Sequence, residues 1–211
     1  MKTLKIPEAT IIRLSVYSRF LAQVERKGIV TISSGEIAKG VGVGSAQVRK
    51  DLAYFGEFGT RGVGYNVSEL YGHLMKILGL TTQWNVVIVG AGKLGSALAM
   101  YGGFLERGFK VVGIFDNDPK KIGQKLADVE IMGVDRLREV VSKQNAHIGI
   151  ITVPADEAQE TANELVAANV RAILNFSPRV LNVPDDVVIR HVDLSVNLEI
   201  LSFYLGYQRN R

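Results

Sequence analysis

The stretch Asn85-Val86-Val87-Ile88-Val89-Gly90-Ala91-Gly92-Lys93-Leu94-Gly95 limits what this chain can fold into more than any other part of it. Four consecutive β-formers run into a G-x-G-x-x-G turn, and Ser96-Ala97-Leu98-Ala99 then begins a helix. The glycine pattern alone is weak, but strand, turn and helix in succession supply the context that makes it a dinucleotide fingerprint. Gly90 is expected to allow the tight turn, Gly92 the approach of backbone to a pyrophosphate, and Gly95 the close packing of helix on strand. The helix start offers N–H groups and a positive dipole end to phosphate. Almost ninety residues precede this motif. The residues after it are expected to complete one nucleotide-binding sheet without room for a separate substrate domain. Such a chain is expected to be a nucleotide sensor coupled to whatever its first ninety residues do.

The second half continues in alternation. Phe109 to Phe115 reads as a strand ending in Asp116. A carboxylate there can bond both ribose hydroxyls and repel a 2′-phosphate, which favours NAD(H) over NADP(H). Asp118 is the alternative, although its place beside Pro119 suits a turn cap better. His147 to Val153, Val170 to Leu174 and Val187 to His191 read as further strands, with a helix over 156–168. This order implies an α/β fold with a Rossmann-like doubly wound parallel sheet. Ligands bind beyond the carboxyl ends of such strands, so Thr152-Val153-Pro154 and Asn175-Phe176-Ser177 are candidates for the nicotinamide end. The same residues would also suit plain loops after strands. The candidate cofactor-binding set is Gly90, Ala91, Gly92, Lys93, Leu94, Gly95, Asp116, Thr152, Val153, Pro154, Asn175, Phe176 and Ser177.

Charge divides the chain unequally. Residues 1–80 hold 11 Lys/Arg against 6 Asp/Glu, while the remainder holds 14 against 15. All the basic excess therefore precedes the fingerprint, which fits either a solvated basic face or a module that binds a polyanion. Pro7 can open a first helix whose apolar face includes Leu14, Tyr17, Leu21 and Val24, and Gly28 stops it. Ser33 and Glu36 have capping-box spacing at the start of a short helix over 35–39. After Gly40-Val41-Gly42 a third helix runs from Ser45 to Phe55, with Val48, Leu52 and Phe55 facing inward.

Short helix, glycine turn and second helix have the spacing of a helix-turn-helix. Ser45, Ala46, Gln47, Arg49 and Lys50 are expected on the exposed side of the recognition helix, whose start enters the major groove. Gln pairs with adenine and Arg with guanine, while Lys and Ser hold phosphates. Gly56 to Val67 then alternates glycine with β-formers, as a hairpin wing would, with Arg61 at its tip for a minor groove. The candidate DNA-binding set is Ser33, Ser45, Ala46, Gln47, Arg49, Lys50, Tyr54, Thr60, Arg61, Gly62, Gly64 and Tyr65. A fourth helix is expected from Ser68 to Leu78, then a linker.

Catalysis is not expected. The three histidines, His73, His147 and His191, are poorly placed as proton donors beside a nicotinamide, and no Tyr-x-x-x-Lys pair follows the sheet. The chain has no cysteine, which excludes disulfides and thiolate-ligated metals. No run is long and apolar enough for a membrane helix, so no membrane partner and a cytoplasmic location are expected. The terminal helix from Asp193 to Gly206 carries Leu194, Leu198, Leu201 and Leu205 in one stripe, broadened by Val196, Ile200, Phe203 and Tyr204. So wide an apolar surface suggests burial against two bodies, hence a dimer, although packing on its own sheet would also use it.

Taken together, these strings resemble the redox-sensing transcriptional repressor Rex family of bacteria. The resemblance covers nearly the whole chain. It rests on Ile6-Pro7-Glu8-Ala9 with Arg13-Leu14, on Gln47-Val48-Arg49-Lys50-Asp51-Leu52 with Tyr54-Phe55-Gly56, and on Gly59-Thr60-Arg61-Gly62-Val63-Gly64-Tyr65. It continues through Gly90, Phe115-Asp116-Asn117-Asp118-Pro119, Thr152-Val153-Pro154, Asn175-Phe176-Ser177-Pro178 and Val192-Asp193-Leu194. The resemblance implies a winged helix-turn-helix domain over residues 1–80 and a Rossmann NAD(H)-binding domain over 84–192. A dimerisation helix would span 193–211, swapped between the two copies of a homodimer. It also implies binding to a palindromic operator in double-stranded DNA, with release by NADH. Arg19, Tyr101 and Asp193 are polar groups that such swapping would bring to an interdomain seam. Two alternatives stay open here: an NAD-dependent oxidoreductase with a small accessory domain, and a nucleotide-binding module that regulates a protein partner.

Overall fold

The computed structural model describes residues 6–60 and 62–209, and the chain divides into two compact units, Met1–Thr82 and Gln83–Arg211. Arg61, the expected tip of the wing, lies outside the described residues.

In the first unit α1 (Glu8–Arg26) begins after Pro7, whose fixed φ and missing N–H suit a helix start. After β1 (Thr31–Ile32) comes α2 (Ser34–Val41), opened by a complete capping box. Ser33 Oγ accepts the Glu36 N–H at 3.2 Å, and the Glu36 carboxylate accepts the Ser33 N–H at 2.8 Å. The next helix, α3 (Ser45–Ala53), follows a left-handed Gly42. Then β2 (Tyr65–Asn66) pairs antiparallel with β1, and α4 (Val67–Ile77) starts where the Asn66 side chain accepts the Glu69 N–H. Leu14, Tyr17 and Leu21 of α1 meet Ile37, Val48, Leu52, Leu70 and Leu74 in one core. Burying such side chains contributes ~1.5–3 kcal/mol each, enough to hold four short elements that would not persist alone.

Both helices of the helix-turn-helix differ in their bounds from the sequence expectation. α2 is longer than 35–39, and α3 ends at Ala53 rather than Phe55, which lies in the turn after the helix with its side chain packed on the core. The glycine ribbon is less of a hairpin than its pattern implies. Among its described residues a single antiparallel bridge joins Thr60 and Gly64, closed by Val63 N–H and Gly64 N–H donating to Thr60 O at 3.0 Å each. The returning strand β2 pairs with β1 instead, so the wing is anchored to the segment just ahead of the helix-turn-helix.

The second unit contains β3 (Trp84–Val89), α5 (Lys93–Ala99), α6 (Gly102–Glu106) and β4 (Phe109–Asp116). β5 (Lys125–Leu126) and β6 (Val129–Gly133) form a small antiparallel pair, followed by a 3-10 turn and α7 (Leu137–Lys143). β7 (Ile148–Ile151), α8 (Ala158–Ala167), β8 (Ala172–Asn175), β9 (Val188–His191) and α9 (Leu194–Arg209) complete it. Among the described residues the sheet order is β5-β6-β4-β3-β7-β8-β9, parallel except at β5. The strand order reverses between β3 and β7, which opens a crevice at their carboxyl ends.

Both faces of this sheet are covered, as a parallel sheet requires. Val87, Val89, Phe115 and Ile151 pack with Leu137, Val141, Ala162 and Leu165 of α7 and α8. Val86, Ile88 and Ile150, one residue out of phase, pack with Leu98 and Phe104 on the other side. The last helix differs from the rest. Its residues 194–208 are all exposed within the single chain, among them Leu194, Leu198, Leu201, Phe203 and Leu205.

Candidate functional site

The crevice between β3 and β7 holds a cavity of about 490 Å³, lined by Gly90, Gly92, Asp116, Asn117, Lys121, Thr152, Val153, Pro154 and Glu157 among others. That volume is within the usual range for a small-molecule site. Gly90 has φ +103°, and a Cβ there would lie 2.8 Å from the Thr152 backbone. A Cβ at Gly95 would run into the Gly90 carbonyl. Each glycine is thus required by a close approach, one of turn to strand β7 and one of helix α5 to the turn. Around Gly92, by contrast, a Cβ would meet nothing within 4 Å, which leaves its backbone open on the cavity side. The Thr152 hydroxyl lies 2.7 Å from Gly90 O and 3.1 Å from Val89 O, tying the end of β7 to the glycine turn.

Asp116 ends β4 and is buried. One carboxylate oxygen, Oδ2, accepts the Ala91 N–H at 2.7 Å and the Lys121 ammonium at 2.9 Å. The other accepts the Asp118 N–H at 2.9 Å. Burial pushes this carboxyl up, but the Asp118 N–H, the Lys121 ammonium and the Ala91 N–H outweigh it and hold the pKa below the ordinary value. Asp116 is therefore a fixed anion at the floor of the cavity. Asp118 caps the adjoining turn, accepting the Lys120 N–H at 2.9 Å. Asn117 donates to Glu157 at 3.1 Å.

Of the residues read from sequence, Gly90, Gly92, Asp116, Thr152, Val153 and Pro154 come together on this cavity. Ala91 and Gly95 are buried in the turn and helix start, while Lys93 and Leu94 are exposed on the first turn of α5. Asn175, Phe176 and Ser177 lie at the end of β8, outside the cavity lining. The Asn175 amide is turned into its own loop, donating to Arg179 O at 2.8 Å and Ser177 O at 3.1 Å, and it lies 3.0 Å from His191 Nδ1. Ser177 Oγ is buried without a hydrogen-bond partner among the described residues. Sequence reasoning missed Lys121. The available signal was its spacing, five residues past the strand-end aspartate on a turn that brings it back.

In the first unit the recognition helix presents Ala46, Arg49 and Lys50 to solvent, with Ser45 half-buried. The Arg49 guanidinium donates to Ser34 Oγ at 2.9 Å, so it leans toward the amino end of α2. Gln47 departs from expectation: it is half-buried, and its amide donates to Asp51 at 2.9 Å. Asp51 is fully buried and is also reached by the Tyr17 hydroxyl at 2.8 Å, the Thr10 hydroxyl at 3.1 Å, and Nε and Nη2 of Arg13 at 2.6 and 2.7 Å. Burial alone would raise its carboxyl, but these donors, Arg13 first, bring it to about 2. The recognition helix is therefore fastened to α1 through one carboxylate. A shallow cavity of about 800 Å³ between helix and wing is lined by Ser33, Arg49, Thr60, Gly62, Gly64 and Tyr65 among others. Tyr54 is half-buried at the end of α3.

The remaining candidates are surface residues. Arg19 is exposed on α1 in the first unit. Tyr101 is exposed ahead of α6 in the second, and Asp193 caps α9 by accepting the Ser195 N–H at 2.9 Å. Among the described residues no cluster of His, Asp or Glu could hold a metal ion, and no helix is long and apolar enough to cross a membrane.

Comparison with known proteins covers both units. A family model described as a CoA binding domain matches residues 81–179, and one described as a putative DNA-binding protein N-terminus matches residues 5–53. The chain is 65% identical over 99% of its length, and 100% of the relative's, to a redox-sensing transcriptional repressor Rex from Desulfitobacterium hafniense. A crystal structure of RSP in complex with beta-NAD+ and operator DNA superposes with TM-score 0.92 at 44% identity, covering 97% of this chain and 94% of that one. A structure of RSP with beta-NADH gives TM-score 0.88 at 42% identity, covering 98% and 97%.

Proposed function

The chain belongs to the Rex family of redox-sensing transcriptional repressors, and from that premise we propose that it represses transcription by binding a palindromic operator from which NADH releases it. The observation that carries this is the pairing, in one chain, of a helix-turn-helix surface with a glycine-turn cavity whose floor is a fixed carboxylate. The nucleotide-binding unit serves as a sensor, and the chain is a regulator rather than an enzyme. The oxidoreductase alternative is not favoured, since relatives 62–66% identical over nearly the full length carry the repressor name.

The residues fit an adenine dinucleotide. The open backbone at Gly92 and the first turn of α5 suit the pyrophosphate. Asp116 suits the adenosine ribose, and Thr152, Val153 and Pro154 suit the continuation of the ligand past β7. When bound, the nicotinamide supplies the redox signal, because its oxidised ring is cationic and its reduced ring neutral. An apolar surround disfavours the charged form.

On the DNA side, Ala46 and Arg49 face the bases, Ser45 and Lys50 the phosphates, and Tyr65 with Thr60, Gly62 and Gly64 shapes the wing. Gln47 serves to hold Asp51 as well as to face the groove.

A homodimer is part of this proposal. The exposed leucine and aromatic residues of α9 call for a covering surface, since most helical stability in proteins comes from packing an apolar face. A second copy supplies one and gives the two-fold symmetry that a palindrome needs. Exchange of α9 between copies would let Arg19, Tyr101 and Asp193 meet. A repressor of this kind works where the chromosome is, in the cytoplasm.

Coupling is then a population shift between a DNA-competent dimer and one that NADH favours. Thermodynamic linkage makes it reciprocal: operator DNA must weaken NADH binding by the factor by which NADH weakens operator binding. Titrating NADH by its own fluorescence, with and without saturating duplex, tests this. Equal factors are expected. An NADH affinity that saturating duplex leaves unchanged would mean that NADH does not release the operator, and would overturn the proposal.

A further inference from the structure

We propose that Lys121 is a nucleotide-contacting residue that sets how far the site tolerates a phosphate on the adenosine ribose. This rests on reading the β3–β7 cavity as a dinucleotide site.

A carboxylate such as that of Asp116 has roughly four acceptor positions. Three are taken here, by the Ala91 N–H and the Lys121 ammonium on Oδ2 and by the Asp118 N–H on Oδ1. One position remains, so Asp116 cannot take both ribose hydroxyls, as its place at the strand end first suggests. The second hydroxyl needs another partner. Lys121 lines the same cavity, its ammonium lies 2.9 Å from Asp116, and its side chain is 35% exposed. An ammonium has three donors, and the bond to Asp116 uses one of them. The ribose diol is thus shared between an acceptor and a donor.

That sharing changes the electrostatics. A lone carboxylate at this position would repel a ribose phosphate. An ammonium in contact with it cancels most of that field at the distance of a phosphate and offers it a charge-assisted hydrogen bond. The site is therefore expected to bind NADPH as well as NADH, with NADPH the weaker of the two. Lys121 accounts for the NADPH binding that remains.

The test is a pair of titrations, NADH and NADPH, each followed by dihydronicotinamide fluorescence on the intact dimer. Lys121→Ala is expected to raise the NADPH dissociation constant about tenfold and the NADH constant about threefold or less, as loss of one charge-assisted bond at a partly exposed site implies. Lys121→Arg, which keeps the charge, should hold the ratio of the two constants near that of the parent protein. Added salt should weaken NADPH binding by the parent more than by Lys121→Ala. Equal weakening of both nucleotides by Lys121→Ala would overturn the proposal, as would a parent protein that binds NADH but no NADPH. A parent protein that binds neither would overturn the dinucleotide site itself.

Discussion

Replacing Arg13 by methionine removes the cation that faces Asp51 while keeping most of the side-chain volume. Asp51 is 0% exposed and Arg13 26% exposed, and their closest atoms are 2.6 Å apart. Thr10, Tyr17 and Gln47 remain as donors after the change, so the carboxylate is not abandoned. Removing one member of a buried pair usually costs ~3–5 kcal/mol; the partial exposure of Arg13 and the three remaining donors reduce this to about 2 kcal/mol. Burial pushes the Asp51 carboxyl up, yet the donors, Arg13 first, bring it from 3.8 down to about 2, so the ionised form is the one that the folded unit stabilises. Because the folded-state value lies below the unfolded one, this stabilisation is fully present above about pH 4 and is lost as the pH falls through about 2. On a unit of this size the substitution should lower the melting temperature by roughly 10 °C. The single tryptophan, Trp84, belongs to the second unit and does not report on this event. Hydrogen exchange followed peptide by peptide does, and protection should fall in α1 and α3 while β3 and β7 keep theirs. Duplex affinity should fall with it, since α3 loses its fastening to α1. An Arg13→Met protein with parental protection in both helices and parental duplex affinity would refute the role given to this carboxylate. Asp51→Asn supplies the pH control: its stability should lack the component that the parent loses between about pH 4 and 2.

Three other outcomes are expected. Gly95→Val drives a side chain into the Gly90 carbonyl; overpacking of this kind costs ~1–3 kcal/mol, so calorimetric NADH affinity should fall about tenfold while duplex affinity measured without nucleotide stays close to parental. Lys50→Ala removes one phosphate contact, and the slope of log duplex affinity against log salt should shrink by about one, with similar loss on specific and scrambled duplexes. Leu198→Glu with Leu201→Glu places charge on the exposed stripe of α9, and light scattering on the eluted protein should show monomer where the parent shows dimer.

The nucleotide-binding core was legible because its signals are local. A β-branched strand, glycines at fixed spacing and an aspartate at a strand end report their own structure, and Gly90, Gly95 and Asp116 are found where that grammar puts them. β5 and β6 were not legible. Lys125-Leu126 is too short to show a pattern, and Val129 to Gly133 places Glu130 inside the run and Ile131-Met132 side by side, which neither alternates cleanly nor forms a continuous apolar stretch. The broken helix at Met100-Tyr101 likewise has no proline to mark it, and α6 restarts on Gly102-Gly103. On the DNA side, helix spacing and the Ser33–Glu36 box were legible, but the engagement of Gln47 was not. Its i,i+4 relation to Asp51 is visible in the sequence. The burial of Asp51, however, depends on Arg13, 38 residues away, and only folding brings them together. Lys121 is a similar case: its charge is plain, but the turn that aims it at Asp116 is not.

If one chain reads the nucleotide redox state and reports it to DNA, the two activities must be coupled in a single binding experiment. Fluorescence anisotropy of a labelled palindromic duplex bound to this protein, titrated separately with NADH and NAD+, tests that coupling most directly. Release by NADH at concentrations where NAD+ leaves the complex intact is the predicted result. A duplex complex equally indifferent to both nucleotides, or equally dissociated by both, would contradict it.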